Sequence, residues 1–467
     1  MPPRRPSIAA RAKNFVRSLR YSRSRSRTLL VALGVFLLVT FYLSGGTREL
    51  APDSVGNTQL LRGRKDFVDF EAAIRKLPQH NPDLPPPAGR NGRYIFFRNQ
   101  IWGLGWNNIL EEILLNTHLA HEANRTYVMM PFHALAHPAM GSASDAPHIP
   151  LNAFMDAPTS GGAWPPGDKA PRSVDEIFYE QVCPKKDRVE LDTEAAPVSP
   201  KNSDAKTLMD FWSKKLREMP DRCVEISKGE QIFNYYLTGS ARVLTVFEDF
   251  FASPALKAFK WSKLVTGAVH RNQEVIAPSN RRSSRPYILP AKGQLEGLLA
   301  MHIRRGDYLE HCTHNADWSS TYASWALLPQ LPDQFKVPEG AGGGNASAEA
   351  IEAYRRVCWP SNKEIVARAR AMREMHRRLD RIYIMTNGDP EYLAKLKADL
   401  KADHWEKVST SRDMKLTWQE TWIAQAIDME IGQRAQVFVG NGFSTLSANV
   451  VIMRLAAGRA LDTIRFW

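Results

Sequence analysis

Short apolar runs alternate with stretches of helical spacing in the first half of the chain. Residues 93–97 form a strand-like apolar run, and the glycines Gly103 and Gly105 follow it at a turn. Residues 107–123 then place apolar side chains at helical intervals, and residues 127–130 predict another short strand. A strand, a glycine turn, a helix and a strand in this order open an α/β unit of the doubly wound kind.

The alternation repeats in the second half, after a polar and basic segment, residues 280–286, that is typical of an interdomain linker. We therefore predict two domains, residues 90–280 and 287–467. Stretches rich in Pro, Gly and small residues interrupt them at 138–175, interpreted as a long loop, and at 327–350, interpreted as a flexible excursion outside the core. The second domain has predicted strands at 297–303, 381–385 and 435–439, and predicted helices at 362–379, at 390–400 and after Ser444.

The N-terminal 89 residues follow a different pattern. Residues 1–27 hold nine basic and no acidic residues, residues 28–44 are 17 residues without a charge, and residues 45–89 are polar and end in prolines. An apolar run of this length is at the short end of what crosses a bilayer as a helix, and the basic side should stay cytoplasmic. We predict a cytoplasmic tail, a transmembrane signal anchor and a stem; a cleaved signal peptide is the alternative.

The charge distribution argues against a nucleic-acid-binding surface. The net charge of the 467-residue chain is +13, but the basic tail accounts for nine of these charges. The remaining residues carry about +4, an ordinary mixed surface rather than one that tracks phosphates. A nucleic-acid partner is therefore not expected.

Four cysteines, Cys183, Cys223, Cys312 and Cys358, all follow the predicted anchor, where the compartment would be oxidising. Proximity in sequence favours Cys183–Cys223 and Cys312–Cys358, although four cysteines allow three pairings. Because no cysteine or histidine cluster with metal spacing occurs, metal binding is not expected.

A basic motif follows the predicted strand at 297–303. His302 and Arg304 alternate on one face of that strand, and Arg304 and Arg305 then meet Gly306 and Asp307 at the turn. A buried guanidinium needs a partner, which is either Asp307 in an internal salt bridge or an anionic ligand.

Two further turns join a strand end to glycines and polar residues. The segment 439–447 ends a strand in glycines and then presents Ser444 and Thr445 at a helix start, where backbone N–H groups favour a phosphate; helix capping is the alternative. The turn at 103–108 contains Asn107 and Asn108 but lacks the third glycine of a dinucleotide fingerprint. Asp428 precedes the late segment and alone is typical of a solvated carboxylate.

Together these segments resemble the GDP-fucose-dependent fucosyltransferases, that is, the protein O-fucosyltransferases and their α1,6 and α1,2 relatives. The likeness lies in residues 93–131, 298–308, 381–393 and 419–454. It implies a GT-B-like fold of two facing Rossmann-like domains and a GDP-fucose donor bound by the C-terminal domain, without cofactor or metal. The absence of an Asp-x-Asp motif anywhere in the sequence also favours this fold over the metal-bridged glycosyltransferase architecture.

The resemblance also implies roles for individual residues. Arg304 matches the arginine that contacts the diphosphate and aids departure of GDP, and Arg305 is taken as a further donor contact. The other matches are His302 and Asp428 at the guanine end, Ser444 and Thr445 at the phosphates, Asn107 and Asn108 at the turn near the donor, and Asp389 at a turn of less defined role.

The general base does not follow from the resemblance, because Leu104 stands where some members have a glutamate. Asp307, taken as a catalytic residue, and also Glu310 and Asp317 lie near the arginine motif and are candidates. Leaving-group stabilisation without an enzyme base is the alternative.

We expect inverting, metal-independent transfer of fucose to a protein or glycan hydroxyl by a single-pass type II enzyme of the Golgi or endoplasmic reticulum membrane. The alternatives are a GT-B transferase with another nucleotide-sugar donor and a non-catalytic membrane-anchored carbohydrate-binding protein.

Overall fold

The computed structural model describes residues 67–101, 103–134, 147–279, 287–291, 293–306 and 308–467. The predicted tail, the predicted anchor at 28–44, part of the stem, the linker 280–286 and Asp307 lie outside these ranges. Within them, no helix is long and apolar enough to cross a membrane. The anchor therefore stays a prediction.

The first half of the described chain contains a five-stranded parallel sheet in the order β5-β2-β1-β7-β6, with β3 and β4 forming a separate antiparallel pair. The strands are β1 (Tyr94–Phe97), β2 (Thr126–Met129), β3 (Phe132–His133), β4 (His148–Ile149), β5 (Val174–Asp175), β6 (Arg188–Asp192) and β7 (Cys223–Lys228). The helices are α1 (Val68–Arg75), α2 (Trp106–Glu122), α3 (Leu151–Phe154), α4 (Glu176–Val182), α5 (Ala205–Glu218), α6 (Tyr235–Thr238), α7 (Phe247–Ala252), α8 (Pro254–Lys257), α9 (Lys263–Arg271) and α10 (Gln273–Ile276).

The second half contains another five-stranded parallel sheet, in the order β10-β9-β8-β11-β12. Its strands are β8 (Leu295–Ile303), β9 (Arg381–Thr386), β10 (Lys407–Thr410), β11 (Ala435–Gly440) and β12 (Ile464–Phe466). Its helices are α11 (Tyr308–Asp317), α12 (Ala348–Cys358), α13 (Asn362–Met375), α14 (Pro390–Ala402), α15 (Trp418–Trp422), α16 (Ala424–Arg434) and α17 (Thr445–Ala456). Parallel strands separated by helices confirm the predicted α/β class.

Local sequence signals account for the elements at the core of each half. The central strands are buried except at exposed Glu296 of β8 and half-buried Gln436 of β11, as their apolar runs require. Helix α13 begins with a capping box between Ser361 and Glu364, and α14 begins with Asp389 as N-cap and Pro390 as its first residue. These signals fix where α13 and α14 start, and α14 starts shortly after the end of β9.

Two stretches differ from their interpretation. The described part of 138–175 contains β4, α3 and β5, and β5 extends the first sheet; elements of two to four residues are too short to produce a period. The stretch 327–350 is mostly irregular, but Leu328, Leu331 and Ala346 are buried. It therefore contributes to the core rather than lying outside it.

Disulfides and side-chain contacts hold the described chain together as one compact unit. Both predicted disulfides, Cys183–Cys223 and Cys312–Cys358, are confirmed. The two halves are joined by hydrogen bonds, including one of 2.7 Å from the Trp261 indole N–H to Gln433 Oε1. This bond links the segment before α9 to the end of α16.

Candidate functional site

The carboxyl ends of β8, β9, β10 and β11 lie along one edge of the second sheet, because all four strands are parallel neighbours. Open α/β sheets bind ligands at this edge. Most of the predicted donor-site residues follow these strand ends, so the topology brings them to one side of the molecule.

His302 is the penultimate residue of the central strand β8 and is only 4% exposed. Its Nδ1 lies 2.9 Å from the hydroxyl oxygen of Ser447, in the first turn of α17. Burial, with a further contribution from the positive charge of Arg304, lowers the pKa of His302 to about 3. The imidazole is therefore neutral at physiological pH.

Arg304 lies just beyond β8 and is half-buried. Its guanidinium carbon is 5.5 Å from the centre of the Tyr308 ring, within the range of a cation–π contact. The Tyr308 hydroxyl donates to the carbonyl of Phe443 at 3.1 Å. The aromatic ring beneath Arg304 is thus tied to the glycine segment after β11.

The Arg305 side chain lies in different surroundings from the Arg304 side chain. It is 5% exposed, and its guanidinium donates to the carbonyl oxygens of Arg304 and Pro360. The rings of Trp359 and Tyr392 lie 4.7 and 4.6 Å from its guanidinium carbon. These contacts give Arg305 a structural role in this state, and its predicted contact with the donor stays a prediction.

Asp428, on α16, lies beneath two hydroxyl groups. Tyr383 donates to its carboxylate at 2.6 Å, and Ser411 lies 2.8 and 3.0 Å from the two carboxylate oxygens. Burial raises the pKa of Asp428 to about 6, and the hydroxyl contacts act in the opposite direction by stabilising the ionised form. The two hydroxyl groups thus fix the Asp428 carboxylate within the fold, whereas the sequence alone suggests a solvated carboxylate.

Ser444 and Thr445 stand at the start of α17 and are half-buried. Ser444 is the N-cap residue but makes no side-chain capping bond, so capping does not account for its hydroxyl. The preceding Gly442 packs against Tyr322, since a Cβ at position 442 would lie 2.3 Å from that ring. Only glycine fits this close to the Tyr322 ring.

The two predicted asparagines follow Trp106 in the first turn of α2, after the glycine turn. The Asn107 amide donates to Gln425 Oε1 at 2.8 Å, and Asn449 donates to the Asn107 carbonyl at 2.9 Å. Asn107 therefore joins the first half to α16 and α17 of the second half. Asn108 is half-buried on the same turn of the helix.

The remaining candidates have other surroundings. Asp389 is exposed and caps α14 by accepting from the Tyr392 backbone N–H at 2.9 Å. Asp317 accepts from the backbone N–H of Ala346 at 3.0 Å and supports that loop, while Glu310 is exposed on α11. Asp307 lies outside the described residues, so the geometry selects no general base.

The residues that hold the predicted site in place are not among those that the sequence predicts. Ser447 contacts His302, Tyr383 and Ser411 contact Asp428, and Asn387 links the ends of β8 and β9 by bonding both the N–H and the carbonyl of Arg305. A partial signal existed for Ser447, since it lies in the same turn as Ser444 and Thr445. Across the part of the chain that the structure describes, no group of three or more His, Cys, Asp and Glu side chains could hold a metal ion.

The fold and this edge define an α/β protein of two parallel sheets whose polar residues cluster at strand ends. The model of a family described as GDP-fucose protein O-fucosyltransferase matches residues 191–456, more than half of the chain. The chain belongs to this family, and it is a fucosyltransferase that uses GDP-fucose as donor. The matched range includes every predicted site residue of the second half.

Solved structures similar to this chain include fucosyltransferases. POFUT1 in complex with GDP (crystal form III) is 15% identical, with 78% of this chain and 96% of that chain covered and a TM-score of 0.45. POFUT1 in complex with GDP-fucose (crystal form I) is 15% identical, with coverages of 83% and 99% and a TM-score of 0.47. NodZ α-1,6-fucosyltransferase soaked with GDP-fucose is 10% identical, with coverages of 77% and 92% and a TM-score of 0.37. No curated protein matches the sequence.

Proposed function

We propose that this enzyme transfers fucose from GDP-fucose to a hydroxyl of a protein acceptor, with inversion at the anomeric carbon, without metal, and on a GT-B-like pair of domains. The family description supports a protein acceptor, and a glycan hydroxyl is the alternative. The observation that carries the proposal is the placement of Arg304 beside His302 at the end of the central strand, on the same sheet edge as Ser444 and Thr445.

Arg304 supplies the electrostatic part of this mechanism. As the bond between the anomeric carbon and the diphosphate oxygen breaks, negative charge gathers on GDP, and a fixed guanidinium stabilises that charge through two parallel hydrogen bonds. Ser444, Thr445 and the N-terminus of α17 offer hydroxyl and backbone N–H donors to the same group. Arginine and helix dipole can together supply the charge stabilisation that a divalent ion provides elsewhere.

Inversion requires the acceptor oxygen to attack from the face opposite GDP in one displacement. The new bond from oxygen to the anomeric carbon forms while the bond to the diphosphate breaks, and the hydroxyl proton leaves to a base or to solvent. The product then has the opposite anomeric configuration to the donor, which NMR of the fucosylated acceptor reads directly.

The test is GDP release by the full chain in detergent, with and without EDTA, using Arg304→Ala, Arg304→Lys and the surface control Arg356→Ala. Removing the guanidinium should lower kcat by roughly 10²–10³, and lysine should restore only part of it because it lacks the planar fork. Arg356 is exposed on α12, and among the described residues its ion-pair partner is surface Glu352, so its variant should resemble the wild type. An unchanged kcat in Arg304→Ala, or loss of activity in EDTA, contradicts the mechanism.

We also propose that residues 28–44 anchor the enzyme as a type II protein of the Golgi or endoplasmic reticulum membrane. The two disulfides support a lumenal position for the enzyme domain, since disulfides persist in oxidising compartments. A C-terminal tag should resist protease in intact microsomes. A mature protein that begins beyond residue 44, identified by mass spectrometry, would replace the anchor with a cleaved signal peptide.

A further inference from the structure

The hydroxyl of Ser447 lies between two nitrogen atoms. The backbone N–H of Asn441 donates to Ser447 Oγ at 3.0 Å, and His302 Nδ1 lies 2.9 Å from the same oxygen. Ser447 is completely buried, so its hydroxyl has no access to water. The direction of these two hydrogen bonds is therefore set by the protein alone.

Only one arrangement of protons satisfies every partner. A backbone N–H is always a donor, so Oγ accepts from Asn441, and the hydroxyl proton needs an acceptor of its own. Among the described residues, the only acceptor within hydrogen-bonding distance of this hydroxyl is His302 Nδ1. The reverse arrangement, with Nδ1–H donating, would leave a buried O–H unsatisfied at a cost of about 1–3 kcal/mol. Since the ring is neutral, its proton is on Nε2.

The packing around Gly440 holds Ser447 in this position. The register pairs Val439 with Met301, so Gly440 lies beside His302 in the neighbouring strand. A Cβ at position 440 would lie 3.0 Å from the Ser447 Cβ and 2.9 Å from the Phe438 ring. Absence of a side chain at Gly440 thus lets the first turn of α17 approach the end of β8.

We propose that Ser447 is a positioning residue that sets the tautomer of His302, so that the imidazole presents Nε2–H to a hydrogen-bond acceptor of the GDP moiety. Nε2 makes no hydrogen bond with the described residues. The role of His302 Nε2–H in donor binding rests on the proposed function of this site, whereas the tautomer of His302 is a property of the ligand-free protein. Ser447 need not touch the donor to act in this way.

The direct test is ¹⁵N NMR of the ligand-free full chain in detergent, labelled at histidine, with the His302 signals identified by their loss in His302→Gln. The wild type should show an Nε2–H imidazole, with the proton coupled to the nitrogen remote from Ser447. Ser447→Ala should shift the pattern toward the other tautomer or a mixture, and Ser447→Thr, which retains a hydroxyl, should restore it. An Nδ1–H imidazole in the wild type overturns the proposal.

A matched pair of variants tests the consequence for binding and does not depend on Ser447 substitutions folding. Glutamine can place an amide N–H near the Nε2 position, whereas the shorter asparagine reaches only to Nδ1. GDP affinity measured by calorimetry should fall at most about threefold in His302→Gln and about tenfold in His302→Asn, the size of one hydrogen bond. Equal losses, or a greater loss in glutamine, contradict the role of Nε2–H.

These measurements separate the two proposals. If the wild type binds no GDP, the proposed donor site fails, while the NMR tautomer still decides whether Ser447 controls His302. If GDP binds and Ser447→Ala changes neither the tautomer nor the affinity, the positioning role fails and the donor site stands.

Discussion

Replacing Tyr383 with phenylalanine should make donor binding sensitive to pH at a higher value than in the wild type. The Tyr383 hydroxyl donates to Asp428 at 2.6 Å, and this bond favours the ionised carboxylate. The resemblance predicts Asp428 at the guanine end of the donor, where an ionised carboxylate would accept from the guanine N–H groups. Protonation of Asp428 would therefore weaken GDP binding.

The expected change in GDP affinity follows from the Asp428 pKa of about 6. At pH 5 about a tenth of Asp428 would be ionised, so wild-type GDP affinity should fall about tenfold from pH 7 to pH 5. A hydrogen bond to a charged group contributes about 1.5–3 kcal/mol, and one pKa unit corresponds to about 1.4 kcal/mol. Losing the Tyr383 hydroxyl should thus raise the pKa of Asp428 by about one to two units and weaken binding at pH 7 about two- to tenfold.

The assay is calorimetric titration of GDP between pH 5 and 8.5 with the wild type, Tyr383→Phe and a matched control, Tyr127→Phe. Tyr127 is also a buried strand tyrosine, but its hydroxyl has no hydrogen-bond partner in the described structure and it lies in the other sheet. Its variant should keep the wild-type profile. A midpoint for Tyr383→Phe that is unchanged, or that moves to lower pH, would refute the assignment of Asp428 as an ionised donor contact.

Two predictions concern stability. Burial raises the pKa of Glu112 to about 8, above its ordinary value of 4.5, so its contribution to the free energy of unfolding is fully present below pH 4.5 and is lost as pH rises through 8. In urea unfolding, Glu112→Gln should therefore be more stable than the wild type by up to about 4 kcal/mol at pH 8 and equally stable near pH 4.5. The control Glu218→Gln, at an exposed position, should show no such trend. Replacing both Cys312 and Cys358 with serine should lower stability by about 3–4 kcal/mol, because the bridge closes a loop with a sequence separation of 46; an unchanged urea midpoint contradicts this.

The sequence predicts the strands and helices well where apolar runs are long. It does not predict which side chains from distant segments contact one another. Both ends of α2 and β9 and the start of α17 fall close to their predicted positions because period and glycine signals are local. Arg304 and Arg305 are adjacent and chemically identical, yet the partners that distinguish them, Trp359 and Tyr392, come from remote segments.

The hydroxyl groups that contact His302 and Asp428 also come from segments that are distant in sequence. Ser447 follows His302 by 145 residues, and Tyr383 precedes Asp428 by 45. No periodicity or motif relates such pairs, because they form only when the helices that carry Ser447 and Asp428, α17 and α16, come to lie beside strands β8 and β9. The sequence therefore indicates which residues bear chemistry, and the fold determines which of them meet.

The surroundings of the neighbouring basic residues leave Arg304 to supply the positive charge of this motif. His302 is neutral, and the Arg305 guanidinium is bound by carbonyl groups and two aromatic rings, so neither offers its charge to the diphosphate in this state. Of the three basic residues in the motif, Arg304 alone is then placed to supply a full positive charge at the end of β8. A guanidinium fixed beside the diphosphate stabilises the departing GDP more than it stabilises the bound donor, whose charge is still spread over the ester linkage. Loss of Arg304 should consequently reduce kcat much more than it raises KM, while loss of the His302 donor should act mainly on KM.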